Sequence, residues 1–135
     1  MPTAKELTIR IEDRPGTLGK ACRALADHGV NIVAFQSVRS EGKGLVRFVV
    51  DDPARAKKAF DNEGLSYQET NIAQTKLSHR PGELARAASR LAEADINIDY
   101  AYCGVDPNTY TPLVILGVAE AGQAAAILDR TSVVA

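Results

Sequence analysis

The sequence predicts an α+β protein of two tandem βαββαβ units, each an antiparallel sheet with its helices on one face. Three observations predict it. First, the stretch from Asp13 to Ile32, DRPGTLGKACRALADHGVNI, recurs from His79 to Ile98 as HRPGELARAASRLAEADINI. Arg14 pairs with Arg80, Pro15 with Pro81, Gly16 with Gly82 and Asn31 with Asn97, an offset of 66 residues. Leu18 and Leu84, Leu25 and Leu91, and Ile32 and Ile98 fall into the same register. A repeat at fixed spacing takes precedence over other patterns, and this one is long enough for each copy to be a small domain. Second, each copy passes from a strand to a helical apolar period and back to a strand. Third, no Gly-, Ser- or Pro-rich linker separates the copies. The chain therefore divides into residues 1–70 and 71–135, packed side by side rather than strung apart.

The elements follow in order. Lys5 to Glu12 alternates Leu7, Ile9 and Ile11 with Thr8, Arg10 and Glu12, a strand with one buried face. Pro15 and Gly16 turn the chain, and Thr17 is the expected N-cap of a helix. Leu18, Ala21, Cys22 and Leu25 make that helix's apolar face. Gly29 is placed to end it in the left-handed conformation, a place Asp95 holds in the second copy. Val30 to Val38 reads as a strand, Arg39 to Gly44 as a polar turn, and Leu45 to Val50 as a nearly continuous apolar strand suited to the sheet centre. Asp52 and Pro53 open a second helix as cap and first residue, with Ala56, Ala59 and Phe60 on its apolar side and Gly64 at its close. Leu65 to Thr70 is a weaker last strand.

The second half repeats the order. Ile72 to Ser78 is its first strand and Leu84 to Ala94 its helix. Ile96 to Gly104 and Thr111 to Val118 form a strand pair joined by VDPNTY. Glu120 to Arg130 is an Ala-rich helix, and Thr131 to Ala135 a short final strand. Both halves read as the split βαβ, ferredoxin-like arrangement.

Composition narrows the function. Units of about 65 residues bury little of their own surface, so they are expected to pack on each other or on a second chain. Open sheet edges invite pairing and predict a homodimer. The formal net charge of −1 offers nucleic acid no basic face, and the central strands LVRFVV and TPLVILGV lack the aromatic platform of RNA-binding sheets. No apolar run approaches the length of a bilayer span, and the charged N-terminus is unlike a signal peptide, so a cytoplasmic protein without membrane partners is expected. Cys22 and Cys103 suggest no disulfide framework. Two histidines and two scattered cysteines make no metal site, and there is no nucleophile motif or phosphate loop. No enzymatic activity and no cofactor are expected.

Each Pro-Gly stands directly before an amphipathic helix, whose first N–H groups lack intrahelical partners and carry a partial positive charge. Such an end can hold a carboxylate. The N–H groups of Gly16, Thr17 and Leu18, or of Gly82, Glu83 and Leu84, could serve an amino acid's carboxylate. Asp13, or strand carbonyls near Asn31, could serve its ammonium group. His79 replaces Asp13 in the second copy, so the two places are not chemically equal. Plainer readings stand beside these: a Pro-Gly that only turns the chain, asparagines that only cap, and loop arginines that are only solvated. His28 reads as a surface residue favoured by the helix dipole, Cys22 as packing, and Tyr100 and Tyr102 as neighbours on one strand face.

The strand–[D/H]RPG–helix–N-I-strand pattern, present twice in βαββαβ halves, resembles the ACT domain over essentially the whole chain. The match is poorest in the last helix and strand of the second copy. ACT domains are regulatory modules, usually attached to enzymes of amino-acid metabolism, that bind amino acids or similar effectors. The resemblance implies a ligand at an interface between two ACT units. Its contacts would be the first loop and helix start, Asp13, Arg14, Pro15, Gly16, Thr17 and Leu18, with Asn31 and Ile32 at the second strand. The second copy's equivalents are His79, Arg80, Pro81, Gly82, Glu83 and Leu84, with Asn97 and Ile98. Two functions remain: a small-molecule sensor, or a subunit without ligand that pairs with an amino-acid biosynthetic enzyme. The intact loops and both asparagines favour the sensor.

Overall fold

The computed structural model describes residues 3–132, with side chains through residue 129. Its elements are β1 (Thr3–Glu12), α1 (Thr17–Asp27), β2 (Ile32–Ser40), β3 (Lys43–Val50), α2 (Pro53–Asn62), β4 (Tyr67–Lys76), α3 (Glu83–Glu93), β5 (Tyr100–Val105), β6 (Pro112–Gly117) and α4 (Ala121–Ser132). The fold is α+β, and the strand pairs described below are antiparallel. Lys5–Thr70 form one compact unit; the described residues from Asn71 onward, with Thr3 and Ala4, form another.

In the first unit β3 is central, as its nearly continuous apolar run predicts. It pairs with β1 from Leu7↔Phe48 to Glu12↔Lys43, and with β2 from Ile32↔Val50 to Ser40↔Lys43. Both partners run antiparallel to β3, so β1 and β2 are parallel and finish at the same end of β3, one on each side of it. Leu7, Ile9, Val46, Phe48 and Val50 from the sheet meet Ala21 and Leu25 of α1 and Ala56, Ala59 and Phe60 of α2 in one core. The Phe48 and Phe60 rings lie 5.9 Å apart. Asp52 caps α2 by accepting from the Arg55 N–H at 3.0 Å, with Pro53 at the helix start. Gly29 has φ +71° and Asp95 +61°, the left-handed helix ends expected of them.

In the second unit β6 pairs with β4 (Ala73↔Leu116 to Lys76↔Leu113) and with β5 (Tyr100↔Gly117 to Val105↔Pro112). Leu91 and Ala87 of α3, Leu128 and Ala124 of α4, and Leu116, Val114 and Ala73 of the sheet form its core. Tyr100 and Tyr102 share a face and stack with ring centroids 6.4 Å apart.

Four sequence expectations change. Thr17 is not the N-cap of α1; Gly16 is, at φ +94°. The strands expected at Leu65–Thr70 and Ile72–Ser78 are one continuous strand, β4, because no Gly or Pro breaks the chain between Thr70 and Ile72. Ile96–Asp99 lies outside the ladder, and β5 begins only at Tyr100. Thr131 and Ser132, expected in a final strand, continue α4; the remainder of that expected strand lies outside the described residues.

Candidate functional site

The loop from Asp13 to Leu18 is built by its backbone. The Arg14 N–H donates to the Glu12 carbonyl at 3.0 Å, and the Thr17 N–H to the Arg14 carbonyl at 3.4 Å. Gly16 takes the positive φ that the turn into α1 requires, and an added Cβ there would meet nothing within 4 Å. Its role is therefore conformational, and no close neighbour demands a glycine. The Thr17 hydroxyl faces back and donates to the carbonyls of Glu12 (2.7 Å) and Arg14 (3.0 Å), which ties the loop to the end of β1. The Lys20 N–H reaches the Gly16 carbonyl at 3.0 Å. Gly16 brings no capping side chain, so the N–H groups of Leu18 and Gly19 are left as the donors that helix geometry does not satisfy.

The charges around this loop are paired at the surface. Asp13 accepts from Arg39 Nε at 2.5 Å, and Glu12 from Arg14 Nε at 2.5 Å. The Arg14 hydrogen bond, then its charge, holds the Glu12 carboxyl below the usual glutamate range, with Lys43 adding to the effect. A cleft of about 350 Å³ opens where Asp13, Arg14, Pro15, Gly16, Thr17 and Leu18 meet Ser37, Val38 and Arg39 of β2 and Gly44 of β3. The sequence reading missed that β2 wall. Parallel β1 and β2 finish at the same end of β3, so the end of β2 comes near the loop across β3, and the Asp13–Arg39 charge pair was the available signal.

Asn31 and Ile32 do not join this cleft. Lys43 pairs with Glu12 and Ser40 at the loop end of β3, whereas Val50 pairs with Ile32 at the other. The eight-residue length of β3 thus separates them from the loop, on the order of 20 Å. There the Asn31 N–H donates to Asp51 Oδ1 at 2.9 Å, and its carbonyl accepts from the Asp51 N–H at 3.1 Å. Ile32 packs against the first core.

The second loop repeats the backbone closely. Arg80 N–H to Ser78 carbonyl is 3.0 Å, Glu83 N–H to Arg80 carbonyl 3.4 Å, Arg86 N–H to Gly82 carbonyl 3.0 Å, and Gly82 has φ +89°. Its side chains differ. Glu83 stands where Thr17 stands, and its carboxylate accepts from Arg80 Nε at 3.0 Å and Arg86 Nη2 at 2.6 Å. Those bonds, Arg86 first, hold its carboxyl below the usual range. His79, Arg80, Pro81 and Gly82 are exposed, and Leu84 keeps 55% of its surface in solvent where Leu18 packs on the core. Asn97 Nδ2 donates to Asp99 Oδ1 at 2.9 Å, and Ile98 packs on the second core. The Asp99 N–H donates to the Gly117 carbonyl, so this pair too sits at the strand end away from its loop, which adjoins Lys76↔Leu113.

No group of three or more His, Cys, Asp or Glu side chains among the described residues could hold a metal. Cys22 is half-buried against the first core, and burial pushes its thiol up. No helix among the described residues is long and apolar enough to cross a membrane.

Comparison with known proteins fits this geometry. Residues 5–61 match the ACT domain family model, a span that takes in most of β1, the first RPG loop, α1, β2, β3 and most of α2. No curated protein matches the sequence. Among solved structures, the fold is shared with protein BT0572 from Bacteroides thetaiotaomicron at 24% identity, over 95% of this chain and 88% of that one, with a TM-score of 0.82. The regulatory subunit of aspartate kinase from Thermus thermophilus is similar at 20% identity, over 96% of this chain and 90% of that one, with a TM-score of 0.66. Aspartate kinase from Synechocystis is similar at 16% identity over 95% of this chain but only 24% of its own, with a TM-score of 0.60.

Proposed function

We propose that this protein is a regulatory sensor made of two ACT units, residues 1–70 and 71–135, that binds an amino acid where an RPG loop of one unit faces the second-strand start of another. The observation that carries this reading is the loop at Asp13–Leu18. A left-handed Gly16 leaves the Leu18 and Gly19 N–H groups at a helix start open to a carboxylate, and Asp13 stands beside them for an ammonium group. The ACT match over residues 5–61 and the fold likeness to a regulatory subunit support a regulatory, non-catalytic role. Asn31 and Ile32 lie at the far end of β3 from their own loop. They reach a loop-bound ligand only if it is the loop of another unit or another copy, and the open sheet edges expected from the sequence favour another copy, hence the homodimer of this reading.

Thermal-shift measurements with the twenty amino acids identify the effector, and calorimetry with that amino acid then tests the site. Asn31→Ala removes a hydrogen bond to a charged group and should weaken binding about ten- to hundredfold while leaving the fold intact. Unchanged affinity would place the ligand elsewhere. A stable monomer by light scattering with the effector bound would sink the interface. If no amino acid shifts the melting temperature, the chain instead serves as a subunit that pairs with an enzyme.

A further inference from the structure

A separate, solvent-open cavity of about 460 Å³ lies in the first unit, lined by residues of that unit alone. Arg10, Ile11 and Glu12 of β1, Arg14 of the loop, Thr17, Lys20 and Ala21 of α1, Lys43 of β3, and Glu63 and Leu65 after α2 line it. That volume suits a small metabolite. The walls carry four cations against the carboxylates of Glu12 and Glu63. Arg14 is engaged with Glu12, whereas Arg10, Lys20 and Lys43 make no ion pair among the described residues. The cavity therefore holds an excess of positive charge around an apolar patch of Ile11, Ala21 and Leu65.

The second copy supplies an independent indication of what belongs there. At the repeat offset Arg80 corresponds to Arg14, Arg86 to Lys20 and Glu83 to Thr17. The backbone bonds of the two loops match to within 0.1 Å at the three equivalent contacts. In the second loop the two cations close on the Glu83 carboxylate. In the first, Glu12 takes Arg14 and Thr17 turns its hydroxyl to backbone carbonyls, so Lys20 is left without a carboxylate partner among the described residues. We propose that the cavity beside Arg10, Lys20 and Lys43 binds a small dicarboxylate, one carboxylate of which occupies, near Arg14 and Lys20, the place that Glu83 fills in the second loop. The second carboxylate lies toward Arg10 and Lys43, and the carbon chain covers Ile11 and Leu65. This site needs no second unit and does not use Asn31, so it stands apart from the amino-acid site proposed above.

Calorimetry with succinate tests it, with propionate and inorganic phosphate as controls. Succinate should bind saturably at one site per chain, and propionate at least about tenfold more weakly, since one charged contact is lost. Lys20→Ala and Arg10→Ala should each weaken succinate by about tenfold or more, and Thr17→Glu should abolish binding by filling the cavity from within. Asn31→Ala should leave succinate unaffected, whereas it should impair the amino-acid effector. Absence of saturable succinate binding to the unaltered protein overturns the proposal. So does an equal response to phosphate or propionate, or affinity retained in both folded Lys20→Ala and Arg10→Ala variants, which decide the matter if Thr17→Glu does not fold. Succinate binding without an amino-acid effector leaves this site standing and removes the interface reading; the converse removes this site alone.

Discussion

In the loop at Asp13–Leu18 the first helical residue is Thr17, whose hydroxyl turns inward to two carbonyls. In the loop at His79–Leu84 it is Glu83, whose carboxylate turns toward two guanidinium groups. The backbones are otherwise near-copies: left-handed glycines at φ +94° and +89°, followed by the same 3.4 Å and 3.0 Å contacts. In the first loop Glu12 pairs with Arg14 and Lys20 has no carboxylate partner among the described residues, whereas in the second both equivalent cations sit on Glu83. The repeated backbone thus carries different side chains at the first helical position, and the dicarboxylate proposal rests on that difference. Leu18 and Leu84 differ in the same sense, one packed on its core and the other more than half exposed.

The comparison can be broken at three depths. The largest effect is expected in the shared scaffold. Leu25 and Leu91 are both fully buried at equivalent positions, so Leu25→Ala and Leu91→Ala should each cost about 2–5 kcal/mol by denaturant unfolding. A loss confined to one of them would mean that the two units do not share a packing scheme. Next come the turns. Gly16→Val and Gly82→Val each force a β-branched residue to positive φ, a cost of about 1–2 kcal/mol, and the two should be alike because no neighbouring atom crowds either position. An unequal pair would show that one glycine does more than set the turn.

The smallest effect separates the equivalent positions Thr17 and Glu83 by pH. The Glu83 carboxyl is lowered in the folded state, first by the Arg86 bond and then by Arg80. A lowered folded-state pKa stabilises fully above the ordinary glutamate value, and that contribution is lost as pH falls through the folded value. Glu83→Gln should therefore melt below the unaltered protein at neutral pH, with the gap closing on acidification. Glu12 is lowered in the same direction by Arg14, so Glu12→Gln should behave likewise. Thr17→Ser, which keeps the hydroxyl, should leave the acid limb unmoved. A gap that persists undiminished below the carboxylate range would rule out the Arg80–Glu83–Arg86 cluster as its source.

Much of this was legible in the residues because it is local. Pro-Gly before an amphipathic stretch specifies a turn into a helix. Asp52-Pro53 specifies a capped helix start, and Gly29 and Asp95 specify left-handed helix ends, because each depends on a dihedral preference or a bond within a few residues. The repeat exposed both loops at once. Where local cues competed, the reading slipped: Thr17 is a good cap by type, yet the positive φ of Gly16 put the cap one residue earlier and turned the hydroxyl toward the strand.

The sequence by itself determined the order of the elements from β1 to α2, the apolar faces of α1 and α2, the two RPG loops and the difference between Thr17 and Glu83. Only the tertiary structure decided what those loops face. Strand pairing put Arg39 beside Asp13 and carried Asn31 to the opposite end of β3. It also brought Arg10, Lys20, Lys43 and Glu63, drawn from four separate parts of the chain, around one cavity. The physical reason is range. Dihedral preferences and caps act over a few neighbours, whereas a cleft depends on register between strands, which hydrogen bonds and core packing across distant segments settle together.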